Sequence, residues 1–391
     1  MTEPSDNLVA KRAWADIDLK ALKKNLSQAS IRCPNSRIIP VIKANGYGHG
    51  MEQVARALMS SSSPVEALAV ATMTEVQRLQ SLQLDVPIVL LPGFSNAEEL
   101  RQCFVQRIEP VIHSRHQLDL LYEEMDRDKL RGAGRIWLKH NTGMNRLGLN
   151  EKDCVEAFNK LHVYPETEVV LMSHLACPDQ TDDKTAVEFT EKQISQFQSV
   201  HAKLSASSKT PFNSSLAASA AILSLPQTHY EFVRPGIMLY GGSPIEDLTA
   251  EDIGLYPVMT LRSRLIAIND VAAGDSIGYG ATFKCEKDSR IGVVSIGYGD
   301  GYPRAARNGT PVLVKTNGGA VRTGMAGRVS MDMITIDLTG VDNAQLGDEV
   351  VLWGEGLSAD EVASCAGTIS YELFCNVAER VQFQYSGDGS T

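Results

Sequence analysis

The chain has 391 residues, 43% of them hydrophobic and 21% charged, with a formal net charge of −10. That length exceeds one average domain and falls short of three, and the composition is that of a globular protein with a large core. The acidic balance excludes a general nucleic-acid binder, which needs a basic face against phosphates, and no run reaches the ~18 apolar residues that span a bilayer, so neither nucleic acid nor membrane is expected as a partner.

From residue 37 onward, short β-branched apolar runs alternate with longer amphipathic stretches. The runs predict strands over 37–42, 67–71, 87–91, 108–112, 135–139, 168–172, 210–214 and 231–233. Between them Met51, Val54, Ala55 and Leu58 fall at i, i+3, i+4, i+7, the spacing of one helix face. Val76, Leu79 and Leu82, then Ala97, Leu100 and Phe104, keep the same period. Strands alternating with helices imply parallel pairing through right-handed crossovers. Eight of them in about 200 residues suit a closed (β/α)8 barrel of TIM type. The competing open doubly wound sheet carries a GxGxxG turn after its first strand. Here that strand runs into Lys43-Ala44-Asn45-Gly46-Tyr47-Gly48-His49-Gly50, which lacks the order.

Past Gly241-Gly242-Ser243-Pro244 the texture changes. Runs rich in Val, Ile and Thr at 258–268, 290–296, 311–314, 334–338 and 349–352, broken by turn residues, predict a mainly β domain. Ser358 is placed to cap a helix over 359–366. The expected organisation is an α/β chain: a barrel at 13–245 and a β domain at 246–391, with residues 1–12 candidates to pack with the latter.

Residues 1–11 lack the basic start and apolar run of a secretory signal, which predicts a cytoplasmic protein. The seven cysteines are widely spaced and form no CxxC pair, so no metal site and no redox pair is expected.

Barrel enzymes place their chemistry at the C-terminal ends of the strands. Lys43 follows the first predicted strand, Arg146 the fifth, His174 the sixth and Ser219 the seventh, while Arg234, Gly236 and Ile237 follow the eighth. A cationic, polar set therefore collects on one rim and suits an anionic ligand. Lys43 closes the apolar run Ile38-Ile39-Pro40-Val41-Ile42. Lysines are ordinarily solvated; partial burial would lower the pKa of this one and make its neutral amine available for a Schiff base.

The segment Pro40-Val41-Ile42-Lys43-Ala44-Asn45-Gly46-Tyr47-Gly48-His49-Gly50 resembles the cofactor-attachment motif of alanine racemases. The resemblance continues through Lys139 to Gly148, Val233-Arg234-Pro235-Gly236-Ile237, Gly278-Tyr279-Gly280, Gly297-Tyr298-Gly299-Asp300-Gly301 and Gly327-Arg328-Val329-Ser330-Met331-Asp332 to Ile369-Ser370-Tyr371-Glu372. It implies a (β/α)8 barrel with a C-terminal β domain, pyridoxal 5′-phosphate as cofactor, and interconversion of L-alanine and D-alanine by two bases. Lys43 would hold the cofactor and serve one face of the substrate Cα. Tyr279 would serve the other face from the second subunit of a homodimer, so that the active sites are shared. A free tyrosine titrates near ~10 and needs cationic neighbours to act as a base; His174 and Arg234, joined in the family by a hydrogen-bond chain, are the candidates.

By the same resemblance Tyr47, Ser219, Gly236, Ile237 and Tyr371 would hold the phosphate. Arg234 would face the pyridine nitrogen; an arginine donates there and takes no proton, which weakens the ring as an electron sink and favours racemisation over transamination. Arg146 would bind the cofactor's phenolic oxygen and the substrate carboxylate, and the partner subunit's Met331 would offer that carboxylate a backbone N–H. Tyr298 would limit the entrance, and Lys139 matches a lysine that family members carbamylate. Ala218 and Asn141 depart from the family, where Asn and Asp are common. The form Met144-Asn145-Arg146-Leu147-Gly148 is closest to the catabolic enzymes of Gram-negative bacteria, although D-alanine supply for peptidoglycan also fits the sequence. Rival readings are a broad-specificity amino-acid racemase, a decarboxylase on this barrel, and a non-catalytic pyridoxal-phosphate-binding homeostasis protein made of the barrel alone. The domain that carries Tyr279 argues against the last, and the Lys43 and Arg234 motifs against the decarboxylase.

Overall fold

A computed structural model describes residues 12–126, 134–164, 166–208 and 210–387. They form two compact units. One comprises Lys23–Leu239 and Pro244–Asp247; the other takes Tyr240–Ser243, the described residues before Lys23 and those after Asp247. Of the segment expected to pack with the β domain, residues 1–11 lie outside the described residues.

The first strand, β1 (Ala13–Asp18), departs from the expected barrel start at residue 13. It pairs antiparallel with β-domain residues Met259 to Ser263 and parallel with Gln382 to Ser386. Its partners lie hundreds of residues away, so nothing local marks its sheet.

The barrel unit contains β2 (Arg37–Ile38), β3 (Leu68–Val70), β4 (Ile88–Leu90), β5 (Ile108–Ile112), β6 (Arg135–Lys139), β7 (Glu168–Met172), β8 (Asn213–Ser215) and β9 (Phe232–Val233). Strands β3 to β8 pair in parallel, each with the next. Strand β9 pairs with β2, and the bridges Val41↔Ala69 and Ala218↔Arg234 join that pair to β3 and β8. The ring is therefore closed, with eight parallel strands. Most of the strands are largely apolar because both of their faces are buried; β8, Asn213–Ser215, is the polar exception.

Helices separate the strands and bury the stripes read from the sequence. In Met51–Met59 the buried residues are Met51, Val54, Ala55, Ala57 and Leu58. The helix Met73–Ser81 starts on a capping box, in which Thr72 accepts from the Glu75 N–H and Glu75 accepts in return. At the N-terminal ends of the strands, Arg135 pairs with Glu66, Glu109 and Glu168, and Trp137 Nε1 donates to Glu109 at 2.9 Å. Arg37 and Arg135 stack on the Phe232 ring at 4.0 and 4.8 Å. Satisfied charges close this end of the barrel, which leaves the opposite rim for chemistry.

The β unit adds β10 (Met259–Val271), β11 (Ser276–Ile277), β12 (Phe283–Lys284), β13 (Ser289–Val294), β14 (Pro311–Thr316), β15 (Gly319–Gly324), β16 (Ile334–Asp337), β17 (Glu349–Trp353) and β18 (Gln382–Ser386). The main sheet runs β15-β14-β17-β10-β1-β18, with β13 between β10 and β16. Strand β10 changes register near residues 261 and 265, which lets one long strand serve two sets of neighbours. Arg262 ties β10 to Asp16, Glu349 and Glu355. The expected helix is present as Ala359–Cys365, with the Asp360 N–H donating to Ser358.

Candidate active site

Lys43 opens a turn that the chain rarely makes. Ala44, Asn45, Gly46 and Tyr47 have φ of 52, 55, 64 and 50°, a left-handed coil immediately after the strand run. Each non-glycine residue there costs roughly 1–2 kcal/mol, so other bonds must hold the turn. Ala44 N donates to Glu75 Oε1 at 2.6 Å. Asn45 Oδ1 accepts from Met51 N at 3.2 Å and from Arg78 at 3.0 Å, and Arg78 is itself paired with Glu52. The turn leaves Lys43 partly buried and buries Tyr47. Strain of this kind is characteristic of functional sites.

The segments after β8 and β9 make a cradle of donors. Ser219 Oγ accepts from the Gly236 N–H at 2.8 Å and from Met238 at 3.4 Å. A Cβ at position 236 would stand 2.6 Å from the Tyr47 hydroxyl, so glycine is what lets Tyr47 reach this place. Ile237 opens a 3-10 turn over Ile237–Tyr240. Hydroxyls and backbone N–H groups at the eighth strand of such a barrel form a phosphate site.

Arg234 is buried just before this cradle. It donates to the Ser215 hydroxyl, to the Ser173 carbonyl at 2.6 Å and to the Leu216 carbonyl at 3.2 Å. Its Nε–H makes no hydrogen bond among the described residues and is available to a ligand. Burial pulls its pKa to about 10, which still leaves a cation at neutral pH.

Lys139, the last residue of β6, is pulled down to about 8 by burial first, then by Arg234, Arg146 and Lys43. His174 is pushed down to about 3 by burial and then by Arg234, Lys139, Arg146 and Lys43. The imidazole is therefore neutral at physiological pH. Each charged neighbour that bears on these two groups is a cation, so the rim has a strong affinity for anions.

The loop carrying Arg146 is organised by Asn141. Its Oδ1 accepts from the Gly143 and Asn145 N–H groups, both at 3.1 Å, and its Nδ2 donates to Asn145 Oδ1 at 2.9 Å. Leu149 N returns to the Lys139 carbonyl at 2.7 Å and closes the loop. Gln193, fully buried, bonds Thr142 Oγ1, the His174 carbonyl and the Ala176 N–H, which ties this loop to the one after β7. The sequence reading missed Gln193, Ser173 and Ser215. A buried glutamine inside an amphipathic helix and polar residues closing apolar strands were the available signals.

The remaining expected residues belong to the β unit. Tyr279 sits at the tip of the β11–β12 hairpin, 69% exposed, between Gly278 and Gly280 at φ 70 and 73°. Tyr298 and Met331 lie on two loops joined by Tyr298 N–H to the Ser330 carbonyl at 3.0 Å and Gly299 N–H to the Met331 carbonyl at 2.8 Å. Both are well exposed, which is unusual for large apolar side chains. Tyr371 is the second residue of the helix Ser370–Cys375. The structure thus gathers Lys43, Tyr47, Lys139, Arg146, His174, Ser219, Arg234, Gly236 and Ile237 in the barrel unit, with Tyr279, Tyr298, Met331 and Tyr371 in the other.

The donor set fits pyridoxal phosphate. The cradle suits its phosphate, the Arg234 Nε–H its ring nitrogen, and Lys43 its aldehyde.

Two family descriptions match the chain: the alanine racemase N-terminal domain over residues 17–244 and the alanine racemase C-terminal domain over residues 258–385. The alanine racemase of Aliivibrio salmonicida is 43% identical over 375 residues, covering 95% of this chain and 99% of the relative. That of Vibrio cholerae is 42% identical over 381 residues, covering 97% and 99%. The biosynthetic alanine racemase structure from Pseudomonas aeruginosa superposes with a TM-score of 0.87 at 39% identity, covering 96% of this chain and all of that one. The Bartonella henselae alanine racemase, solved with covalently bound pyridoxal phosphate, superposes with a TM-score of 0.80 at 28% identity over 96% of this chain and 99% of that one.

Proposed function

The chain belongs to the alanine racemase family, and on that premise we propose that its barrel site interconverts L-alanine and D-alanine with pyridoxal 5′-phosphate. The observation that carries the reading is the cationic rim: Lys43, Lys139, Arg146 and Arg234 all act on the neutral His174 beside a phosphate cradle. Bound pyridoxal phosphate supplies the electron sink that acidifies the Cα–H of an amino acid. The chain's own groups do the rest.

Gly236, Ile237, Ser219 and Tyr47 hold the phosphate, and Tyr371 is a further phosphate ligand assigned from the resemblance. Arg234 donates to the pyridine nitrogen from a guanidinium that keeps its proton. Lys43 Nζ takes or returns the Cα proton on one face, and Tyr279 Oη does so on the other. Arg146 holds the substrate carboxylate together with the Met331 backbone N–H. Tyr298 narrows the entrance to side chains near the size of methyl. Since the pKa of Lys139 is near 8, part of its amine is neutral at physiological pH. It adds to the carbon of carbon dioxide, an N–C bond forms and one proton leaves; the resulting carbamate anion buttresses Arg146.

Tyr279, Tyr298 and Met331 are exposed on their own unit, which supports a homodimer in which each subunit completes the other's site. No described helix is long and apolar enough to cross a membrane, and a cytoplasmic setting is part of this reading. The form Met144 to Gly148 favours a catabolic role, which induction of the protein by alanine would test. A barrel at 13–245 and a β domain at 246–391 remain our functional division of the sequence, although 13–22 and 240–243 fall in the compact β unit and 246–247 in the barrel unit.

The reading is tested by racemisation assays with alanine, serine, lysine and arginine in the presence of added cofactor. Turnover of alanine far above the others is expected. Comparable turnover of lysine favours the broad-specificity racemase instead.

A further inference from the structure

Asp300 is completely buried, and its carboxylate is the meeting point of three segments of the β unit. Oδ1 accepts from Arg12 Nη1 at 2.5 Å and from Arg380 Nε at 2.8 Å. Oδ2 accepts from Arg12 Nη2 at 2.9 Å and from the Gly297 N–H at 2.8 Å. Its backbone carbonyl accepts from Ala378 N–H at 3.0 Å. Both guanidiniums then continue to the neighbouring loop. Arg12 Nη2 reaches the Asp332 carbonyl at 2.8 Å; Arg380 Nη2 reaches Asp332 Oδ1 at 2.8 Å and the Met331 carbonyl at 3.3 Å.

The packing leaves no slack. A Cβ at Gly297 would stand 2.3 Å from the Ser330 carbonyl, one at Gly299 would stand 2.5 Å from Arg380, and one at Gly301 would stand 2.1 Å from the Asn376 carbonyl. A buried carboxylate is strongly disfavoured unless it is paired. Two guanidiniums and a backbone N–H supply that pairing here and, with the Asp332 loop, fix four chain segments at once. The two loops so fixed carry Tyr298 and Met331.

We propose that Asp300, through Arg12, Arg380 and Asp332, is the positioning residue that sets the Met331 backbone N–H and the Tyr298 ring for substrate recognition. The inference rests on the roles proposed above for Met331 and Tyr298. It identifies a salt-bridged junction as a determinant of carboxylate affinity and side-chain size.

The test compares the wild-type holoenzyme with Asp300→Asn, which keeps the shape but removes the charge, and with Arg380→Lys, which keeps the charge but removes the fork. Three quantities are read: steady-state constants with alanine and serine, equilibrium binding of propionate as a non-reacting carboxylate, and amide hydrogen exchange at 297–301 and 330–333. Both variants are expected to weaken propionate binding and raise the KM for alanine by about tenfold, the worth of one charge-assisted hydrogen bond. Cofactor absorbance should be unchanged, kcat should stay within about twofold, discrimination against serine should fall, and exchange should speed up only in the two loops. Arg380 is on the surface, so its lysine variant reports even if Asp300→Asn does not fold. Wild-type propionate affinity and KM in Arg380→Lys overturn the proposal. So does a uniform loss of kcat, cofactor and melting temperature, which marks a purely structural junction. Failure of the wild type to racemise alanine rejects the functional reading itself, a result separate from either.

Discussion

The phenolic oxygen of Tyr47 lies 2.6 Å from the point that a Cβ at position 236 would occupy. The left-handed turn that begins at Lys43 carries Tyr47 across to the segment after the last barrel strand, and Gly236 makes the room. The position of Tyr47, four residues after Lys43, and the glycine at 236 are thus one structural decision.

Gly236→Ala is expected to push Tyr47 away and weaken cofactor affinity by about tenfold, the worth of a lost hydrogen bond to a charged group. Tyr47→Phe alone should lose about as much, and Gly236→Ala should cost little more in that background, because the hydroxyl at 2.6 Å is the chief collision and the ring carbon lies farther off at 3.3 Å. Equilibrium dialysis of the cofactor reads both. Additive losses in the double variant would show that the two positions do not meet.

Lys139 titrates near 8 in the folded chain against an ordinary 10.5. Between those values the unfolded chain holds a proton that the folded one lacks, so the stability of cofactor-free protein rises with pH across that window. Below about pH 8 the full cost of a buried charge among cations is present. Lys139→Met should therefore raise the melting temperature of cofactor-free protein near neutral pH, with the difference shrinking toward pH 10.5, while activity falls. A pH-independent difference would contradict the assignment. Carbamylation of the wild type is read by native mass spectrometry with and without bicarbonate.

Asn141→Asp removes the donor to Asn145 Oδ1 and sets two acceptors against each other, one residue before Arg146. The backbone bonds to Oδ1 survive, so the fold should persist. The KM for alanine should rise by about threefold to tenfold, reflecting one lost hydrogen bond, with cofactor absorbance unchanged. An unaltered KM would show that this pair does not orient Arg146.

On the proposed two-base scheme, Tyr279→Phe removes one base and leaves Lys43. Solvent deuterium exchange at Cα should be lost most severely from L-alanine and survive in part from D-alanine. Equal loss from both enantiomers would count against two bases on opposite faces.

Much of this was legible because it is local. The eight expected barrel strands lie between helix-periodic stretches, and the structure places a strand at each: three keep the expected bounds, four are shorter, and the seventh shifts from 210–214 to Asn213–Ser215. The site residues of the barrel follow from its rule that chemistry sits after the strands. What was illegible is non-local. Trp14 and Ile17 look like any apolar alternation, and only their pairing with Arg262 and Met259 puts them in the β sheet. Asp300 reads as a turn residue between glycines until Arg12 and Arg380 converge on it from both ends of the chain. The left-handed turn after Lys43 was hidden because Ala44 is a poor residue for positive φ and is held there by Glu75, a residue of another helix.

The central claim, that Lys43 carries the cofactor for alanine racemisation, is tested most directly by one paired measurement. Purified wild type and Lys43→Ala are incubated with pyridoxal phosphate and L-alanine, and D-alanine is followed alongside the absorbance of covalently bound cofactor. The account predicts that the wild type drives L-alanine to an equal mixture, while Lys43→Ala loses both the covalent absorbance and the D-alanine. Retention of covalently bound cofactor by Lys43→Ala, or absence of D-alanine from the cofactor-loaded wild type, would contradict it.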